Sequence, residues 1–362
     1  MLVTESGHLV FVRDGVLMAA PFSIAERRVT GPAVPLPDSV VTDGTGVAQL
    51  VSAGGTLAYV PAGPVAAAPT LGWVSRTGDF TALGPLPPGS RFTELSPDGK
   101  RALVFVDDLA SGGGLGYVCL FDLARLILTR LNLGERVTDA PRWHPDGRRI
   151  AYGGPRLSVF DIDSGMDKPL TDAGLRSLPS SWSPDGKVLA YTFFSPQPDI
   201  YTLALEENAR PQVFVSNAAS DSNAAISPDG RWIAYVTGSE VWAARFPEGS
   251  NKTVISPGQA PVWNPNGREL FFVSQDALMA VPITPGQQLA IGTPRTLFRM
   301  RDPSAEEGFE VGTTRGVAYD VSPDGSRFLM MKTPAPPAYT EIVVVQNWFE
   351  ELKRLAPAAT GR

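Results

Sequence analysis

The hydrophobic residues along the chain occur in short runs that are separated by turns containing proline and glycine. Residues 188–191, 232–235 and 269–272 are such runs, and each combines aliphatic with aromatic side chains. Runs of about four to eight residues with this composition, bounded by turn residues, are typical of β-strands. The pattern therefore predicts an all-β protein.

One four-residue turn recurs along the chain with nearly the same residues. Ser, His or Asn comes first, Pro second, Asp or Asn third and Gly fourth, which is the residue preference of a type I turn. Its six copies lie at residues 96–99, 144–147, 183–186, 227–230, 264–267 and 322–325, with weaker copies at 4–7 and 52–55. We assign a structural role in these turns to Asp98, Gly99, Asp146, Gly147, Asp185, Gly186, Asp229, Gly230, Asn266, Gly267, Asp324 and Gly325.

The spacing of the turns predicts a repeat architecture. Counted from Gly7 through Gly55 to Gly325, successive turn glycines are 48, 44, 48, 39, 44, 37 and 58 residues apart, and a four-stranded propeller blade needs about 40–45 residues. We therefore expect a closed β-propeller of eight four-stranded antiparallel blades, with seven as the alternative if a terminal unit is incomplete. The expected single domain covers residues 1–362, and its units span approximately 1–45, 46–90, 91–138, 139–177, 178–220, 221–259, 260–315 and 316–346.

Two other all-β architectures would contain similar turns. Unrelated hairpins in a β-sandwich are one, but six copies of the turn in one register argue against it. A linear solenoid is the other, and it needs polar caps at its ends. Residues 8–22 instead repeat the pattern of residues 269–282, so the first unit resembles an internal one. Like ends favour a ring, which leaves only short, protected strand edges.

A short helix is expected after the repeats, over residues 347–356. Asn347 is a suitable N-cap, and acidic residues near the start and basic residues near the end complement the helix dipole. Trp348, Leu352 and Leu355 fall on one face of this helix. We expect the face to pack against the propeller rim, with a free partner-binding helix as the alternative.

Composition and charge exclude several classes of function. The formal net charge is -6 and the basic residues are scattered, so no nucleic-acid surface is indicated. No run of about 18 apolar residues would cross a membrane, and the first residues lack the basic and apolar regions of a signal peptide. Cys119, the single cysteine, excludes an internal disulfide. We expect a soluble chain in the bacterial cytoplasm or, if it is a fragment of a longer protein, an extracytoplasmic one.

The sequence contains no recognisable catalytic or metal-binding motif. His8 and His144 are the two histidines, and neither has a neighbour at ligand spacing. The turn aspartates offer oxygen ligands for calcium, but each is explained by its own turn. The glycine-rich segment 111–116 lacks the Lys-Ser/Thr ending of a phosphate-binding loop. We therefore expect no metal, no cofactor and no enzymatic activity.

The strand before each turn would be the innermost of its blade and would run along the central channel. We call the residue three places before the turn proline the inner position, and the residue after it the following position. The inner residues are Glu94, Arg142, Ser181, Ala225, Val262 and Asp320, and the following residues are Leu95, Trp143, Trp182, Ile226, Trp263 and Val321. Because side chains alternate along a strand, the apolar following residues would pack between blades and the inner residues would face the channel. Glu94, Arg142, Ser181 and Asp320 are the candidate ligand-binding residues, with plain solvated channel residues as the alternative.

The turn and the run after it resemble the WD40-like (PD40) repeat of TolB-type β-propellers. The likeness rests on Ser/His-Pro-Asp-Gly-Lys/Arg followed by apolar-Ala-Tyr, as in residues 183–191 and 227–235, and it covers nearly the whole chain. The first two units lack the Pro-Asp pair, and the turn at 264–267 carries Asn in place of Asp. Residues 7–13 and 347–354 are also similar to propeller regions appended to bacterial serine/threonine kinases. The resemblance implies a sensor or scaffold module of a signalling or envelope system, with any kinase domain outside these residues.

These observations together predict a non-enzymatic, monomeric propeller that binds a protein or peptide partner or another ligand. We expect no nucleic-acid partner and no membrane insertion. The alternative is a lyase-like or lactonase-like propeller enzyme, or the gating domain of a peptidase, acting through the central channel. An enzyme would need clustered histidines or carboxylates around that channel, and the chain has two histidines.

Overall fold

Antiparallel strands make up most of the described chain, and one helix follows them. The computed structural model describes residues 2–13, 16–41, 48–61, 68–107, 116–133, 139–154, 156–172, 174, 176–194, 197–206, 209–301, 307–309, 317–334 and 341–357. The glycine-rich segment 111–116 lies outside these ranges except for Gly116.

The strands are numbered in chain order. The first seven, β1–β7, cover Leu2–Val3, His8–Arg13, Val16–Ser23, Arg28–Val29, Val34–Ser39, Leu50–Ala53 and Thr56–Tyr59. Strands β8–β20 cover Thr70–Ser75, Phe80–Pro85, Ser90–Leu95, Arg101–Asp107, Gly116–Asp122, Ile127–Arg130, Asp139–Trp143, Arg149–Gly153, Leu157–Asp161, Asp167–Pro169, Ser177–Trp182, Val188–Phe194 and Pro198–Ala204. Strands β21–β33 cover Gln212–Val215, Asp221–Ile226, Trp232–Thr237, Glu240–Arg245, Thr253–Pro257, Gln259–Trp263, Glu269–Ser274, Ala277–Thr284, Ala290–Ile291, Arg295–Arg299, Glu307–Phe309, Tyr319–Val321 and Arg327–Pro334. Strand β34 (Val343–Val345) precedes helix α1 (Trp348–Leu355).

The chain forms two compact units. The two-sheet unit contains β1–β7, β34 and α1, and the six-sheet unit contains β8–β33. In the six-sheet unit, five sheets are built from consecutive strands: β10–β13, β14–β17, β18–β21, β22–β25 and β26–β30. The sixth sheet combines β31–β33 with β8 and β9.

The sixth sheet joins two distant segments of the chain. Strand β33 pairs antiparallel with β8, from Arg327 opposite Ser75 to Lys332 opposite Thr70. The expected units 46–90 and 316–346 assign these two strands to different blades, whereas in the structure they are neighbours in one sheet. One segment supplies β8 and β9 and the other supplies β31–β33, and together they form one five-stranded sheet.

In each of the six sheets, we call the strand that precedes the strong turn copy the first strand: β10, β14, β18, β22, β26 and β32. These first strands contact one another in a cyclic order. Each of β10, β14, β18, β22 and β26 contacts the first strand of the next sheet, and β32 contacts β10. The ring of eight or seven blades expected from the turn spacing is not confirmed, because two of the eight sheets belong to the two-sheet unit. These two sheets contain the weak turn copies at residues 4–7 and 52–55, which lack the Pro-Asp pair.

The turn residues explain the local fold between the first and second strands. The Ser183 hydroxyl donates to Asp185 Oδ1 over 2.6 Å and accepts the N–H of Val188 over 2.9 Å. Asp185 Oδ1 also accepts the N–H of Lys187 over 3.1 Å. Gly186 has a φ of 70°, a left-handed conformation that glycine adopts without strain. The turns at residues 96–99, 227–230 and 322–325 contain the same Ser-to-Asp bond.

Neighbouring turns also pack closely against each other. A Cβ atom at Gly186 would lie 2.3 Å from Nε2 of His144, and this Nε2 donates to the carbonyl oxygen of Gly186 over 3.1 Å. A Cβ atom at Gly99 would lie 2.8 Å from Cγ of Pro323. At Gly186 and Gly99, glycine is therefore needed both for its backbone conformation and for the space beside it, and His144 is a contact between turns.

In the two-sheet unit, helix α1 packs onto the strands. Trp348 and Leu352 are buried in a core that includes Leu17 and Leu57. The main-chain N–H of Trp348 donates to the carbonyl oxygen of Gly55 over 3.0 Å. The apolar face predicted for the helix is thus covered. No helix within the ranges described is long and apolar enough to cross a membrane.

Asn347 occupies the N-cap position of α1 that the sequence predicts. Asn347 has a φ of 56° and its side chain makes no capping bond. The side chain does not cap the first helical N–H groups, because a capping residue needs an extended backbone to reach them. At the other end, the buried His8 donates from Nε2 to the carbonyl oxygen of Ala356 over 2.8 Å.

Gly186→Ala and Gly147→Ala separate the two demands on the turn glycine. Both positions have a positive φ, 70° at Gly186 and 68° at Gly147, and alanine there costs about 1–2 kcal/mol. A Cβ atom added at Gly147 would have no heavy atom of the described residues within 4 Å. Gly186→Ala should lose about 1–3 kcal/mol more, because its methyl group overlaps the imidazole of His144. Chemical denaturation of both variants measures the difference, and equal losses would contradict the packing explanation.

Candidate functional site

A cavity of about 510 Å³ lies in the six-sheet unit, and the first strands of all six sheets line it. The structure brings together all six inner residues there: Glu94, Arg142, Ser181, Ala225, Val262 and Asp320. The following residues border the same cavity, but each is buried in a core between two sheets, as the alternation along these strands predicts. Five turn prolines, at positions 97, 145, 228, 265 and 323, also line it.

A β-bulge precedes the inner position in five of the six first strands. The register shifts lie between Phe92 and Glu94, Asp139 and Arg142, Pro179 and Ser181, Ser222 and Ala225, and Gln259 and Val262. A bulge adds an unpaired residue, bends the strand and redirects the side chains beside it. A bulge beside each of these five inner positions therefore helps to set the direction of the inner side chain.

Three of the four candidate residues accept a main-chain N–H of the next sheet. Glu94 Oε2 accepts the N–H of Trp143, and Ser181 Oγ accepts the N–H of Ile226 over 3.0 Å. The Oδ2 atom of Asp320 likewise accepts the N–H of Leu95 over 2.9 Å. In each case an inner residue bonds to the following position of the neighbouring first strand.

Arg142 and Ala225 use other bonds, because neither side chain can accept a hydrogen bond. Arg142 donates from Nε to the carbonyl oxygen of Ser180 in the next sheet over 2.9 Å. The carbonyl oxygen of Ala225 accepts from Nε1 of Trp263, also in the next sheet, over 2.8 Å. Inner positions thus join adjacent sheets as well as lining the cavity.

The two carboxyl groups in the cavity have raised pKa values. Burial raises the pKa of Glu94 to about 8, with Arg142 opposing this shift and Asp320 adding to it. Burial also raises the pKa of Asp320 to about 6, against the lowering by the N–H groups of Leu95 and Val321 and by Arg142. At neutral pH, Glu94 is mostly protonated, while Asp320 is mostly ionised.

The turn aspartates, in contrast to the two cavity carboxyl groups, have lowered pKa values. The hydroxyl of Ser322 and the N–H and hydroxyl of Ser326 lower the pKa of Asp324 to about 2. Asp185 has its pKa lowered in the same direction by Ser183 and the N–H of Lys187. Each carboxylate is thus bonded within its own turn. In the part of the chain that the structure describes, no group of three His, Cys, Asp or Glu residues could hold a metal ion.

Some residues of the site were not predicted from the sequence. The turn prolines reach the cavity, and their constant place three residues after the inner position could have indicated it. Tyr319 also lines the cavity and donates its hydroxyl to the carbonyl oxygen of Ala260 over 2.9 Å. No turn or spacing signal marks Tyr319, because its place depends on how the sixth sheet is assembled.

Glu94→Gln should change how the stability of the protein depends on pH. The pKa of Glu94 in the folded protein, about 8, lies above its ordinary value of 4.5. Its contribution to stability is therefore fully present below the ordinary pKa and is lost as the pH rises through the folded pKa. Glutamine keeps an oxygen for the Trp143 N–H but cannot ionise, so the Tm of the wild type should fall relative to that of Glu94→Gln from about pH 5 to about pH 8.

The matched control for this experiment is Glu248→Gln, which changes an exposed glutamate in the same unit. Its Tm profile against pH should run parallel to that of the wild type. Parallel profiles for the wild type and Glu94→Gln would instead show that burial does not raise the pKa of Glu94.

Comparison with known proteins supports the fold. No family model matches the chain. An uncharacterized protein of Agrobacterium fabrum is 28% identical over 151 residues, which cover 37% of this chain and 50% of that protein. The chain thus spans about half the length of the curated relative it matches.

Among solved structures, one assigned as TolB from Agrobacterium tumefaciens superposes with a TM-score of 0.57 at 21% identity, covering 74% of this chain and 98% of that one. TolB from Acinetobacter baumannii gives a TM-score of 0.45 at 18% identity, covering 68% of this chain and 63% of that one. At these identities the likeness concerns the fold alone. The superposition with the first of these structures shows a TolB-like β-propeller fold over about three quarters of the chain.

Proposed function

We propose that the six-sheet unit is a closed six-bladed propeller that acts as a non-catalytic binding module for a protein or peptide partner. The observation that carries the proposal is the convergence of six equivalent inner residues on one cavity of about 510 Å³. Cavities of about 300–1,000 Å³ with a few placed polar groups are typical of ligand sites. The cyclic contacts of the first strands support the six-bladed ring.

The margin of the cavity favours a peptide as the ligand. The five turn prolines that line the cavity are all exposed. They provide apolar surface around an interior that contains charged side chains, and recognition sites combine these two kinds of surface. A segment of a partner can lie across the prolines and insert one side chain into the cavity.

The polar groups of the cavity are held in position before a ligand arrives. Glu94, Ser181 and Asp320 each accept an N–H from the next sheet. A carboxylate has about four acceptor sites, so the one N–H bond of Glu94 and the two of Asp320 leave capacity for a ligand. Because these side chains are already fixed, binding costs little further ordering.

The bonds of Ser181 support binding rather than covalent catalysis. Its Oγ accepts the N–H of Ile226 over 3.0 Å and donates to the carbonyl oxygen of Trp182 over 3.4 Å. A catalytic serine needs a neighbouring base that takes its proton. Ser181 therefore serves as a fixed polar group in the wall of the cavity.

We also propose that the partner belongs to a bacterial signalling or envelope system, in which this chain is a sensor or scaffold. Two observations support this step: the turn motif resembles PD40 repeats, and the fold is TolB-like. Both observations concern the fold and not the ligand, so the direct test is a binding experiment on the cavity.

Peptides selected from a displayed random library against the whole chain would test the binding function. Val262→Trp fills the cavity, because Val262 lines it and is half-buried. Val254→Trp is the matched control, because Val254 is 43% exposed on β25 and does not line the cavity.

Val262→Trp should weaken the selected peptides at least tenfold in calorimetry, and Val254→Trp should leave their affinity unchanged. Thermal unfolding of both variants checks that they remain folded. Selected peptides whose affinity is the same in folded Val262→Trp and in the wild type would overturn the proposal, as would a selection that yields no specific binder.

A further inference from the structure

We propose that the group inserted into this cavity is a cation, the ammonium or guanidinium of a lysine-like or arginine-like side chain, held by the carboxyl groups of Glu94 and Asp320. This inference rests on the proposed binding function and names the chemical class of the ligand. The titratable residues that line the cavity are Glu94, Arg142, Tyr319 and Asp320. Their exposure and their bonds determine which of them a ligand meets.

Arg142 and Tyr319 are part of the cavity wall. Arg142 is 6% exposed, and it donates from Nε and Nη1 to the carbonyl oxygens of Ser180 and Pro141. Tyr319 is 1% exposed and donates its hydroxyl to the carbonyl oxygen of Ala260. Both residues direct donors to the main chain.

Glu94 and Asp320 are more accessible from the cavity, since both are only half-buried. They lie on β10 and β32, whose residues contact each other, and the charge of Asp320 raises the pKa of Glu94. A cation placed near both carboxyl groups is attracted by each of them and offsets their mutual repulsion. Arg142 lowers the pKa of both carboxyl groups, so its positive charge lies near them as well. Two ionised carboxylates and one guanidinium leave a net charge of −1, which one bound cation neutralises.

The rest of the lining suits the stem of a long basic side chain. Val262, Val321 and Pro323 line the same cavity as the two carboxyl residues. Lysine and arginine bury apolar methylene groups along such surfaces while their charged ends reach polar groups. An alkyl chain that ends in a cation therefore matches both parts of the lining.

Binding of a cation should release a proton from Glu94 to the solvent. In the free protein, burial raises the pKa of Glu94 to about 8, so it holds a proton at neutral pH. A bound cation favours the ionised carboxylate and lowers this pKa. Of the other titratable groups that line the cavity, Tyr319 is kept neutral because burial raises its pKa well above the usual value. Asp320, with a pKa of about 6, is mostly ionised above pH 7.

Three peptides that differ in one side chain test the inference with the whole chain. They are acetyl-Gly-Lys-Gly-amide, the same peptide with its lysine acetylated, and acetyl-Gly-Glu-Gly-amide. Calorimetry and NMR titration at millimolar concentrations should detect binding of the lysine peptide and at least tenfold weaker binding of the other two. Its affinity should rise up to about tenfold from pH 6.5 to pH 7.5, because one released proton gives a factor of ten per pH unit.

Variants identify the group that releases the proton. Glu94→Gln should remove the pH dependence of the affinity and the proton release measured in buffers of different ionisation enthalpy. Glu248→Gln, at an exposed position, should behave as the wild type. A pH dependence that persists in Glu94→Gln would overturn the role of this carboxyl group.

Other outcomes separate this inference from the binding function itself. Equal binding of the acetylated lysine peptide, or preferential binding of the glutamate peptide, would overturn the cationic ligand and leave a binding cavity. Library peptides without a basic residue that lose affinity in Val262→Trp would also overturn the cationic ligand, while they would support the binding cavity. Peptides insensitive to Val262→Trp, together with no binding of the lysine peptide, would overturn both proposals.

Discussion

The six-sheet unit depends on hydrogen bonds between the inner position of one first strand and the main chain of the next. First strands of neighbouring sheets contact each other without pairing in one sheet, so their main-chain N–H groups need other partners. Glu94, Ser181 and Asp320 supply acceptors for three of these groups. Where the inner residue is Arg142 or Ala225, a donated bond to a main-chain carbonyl joins the sheets instead.

The same side chains therefore hold the sheets together and line the cavity. This double use accounts for charged side chains in a half-buried place where their ionisation is costly. A change in the protonation of Glu94 acts on its bond to the N–H of Trp143, which lies between β10 and β14. The protonation state of Glu94 in the cavity is thus coupled to the contact between these two sheets.

Much of this architecture could be predicted from local sequence. The Ser-Pro-Asp-Gly turn carries its own hydrogen bonds, as in Ser183 and Asp185, and so it marks the start of each second strand. Counting back from the turn proline then locates the inner position, and the six inner residues do line one cavity. These inferences succeed because turn and strand are set by residues close together in the sequence.

The remaining features depend on contacts between distant residues. The pairing of β33 with β8 has no local signal, and it assigns residues from both ends of the repeat region to one sheet. The bulges before the inner positions arise from pairing with the second strand, so alternation along the first strand could not reveal them. The division into two units was likewise hidden, because the weak turns at 4–7 and 52–55 keep the spacing of the strong ones.

The shared sheet of β8, β9 and β33 has a consequence for how the chain is made. A chain is synthesised from its N-terminus, so β8 leaves the ribosome long before Arg327 exists to pair with Ser75. Closing so long a loop is slow, and until it closes β8 presents an unpaired strand edge that another chain can occupy. Ribosomal stalling before β33 would thus leave nascent chains prone to exchange strands with one another.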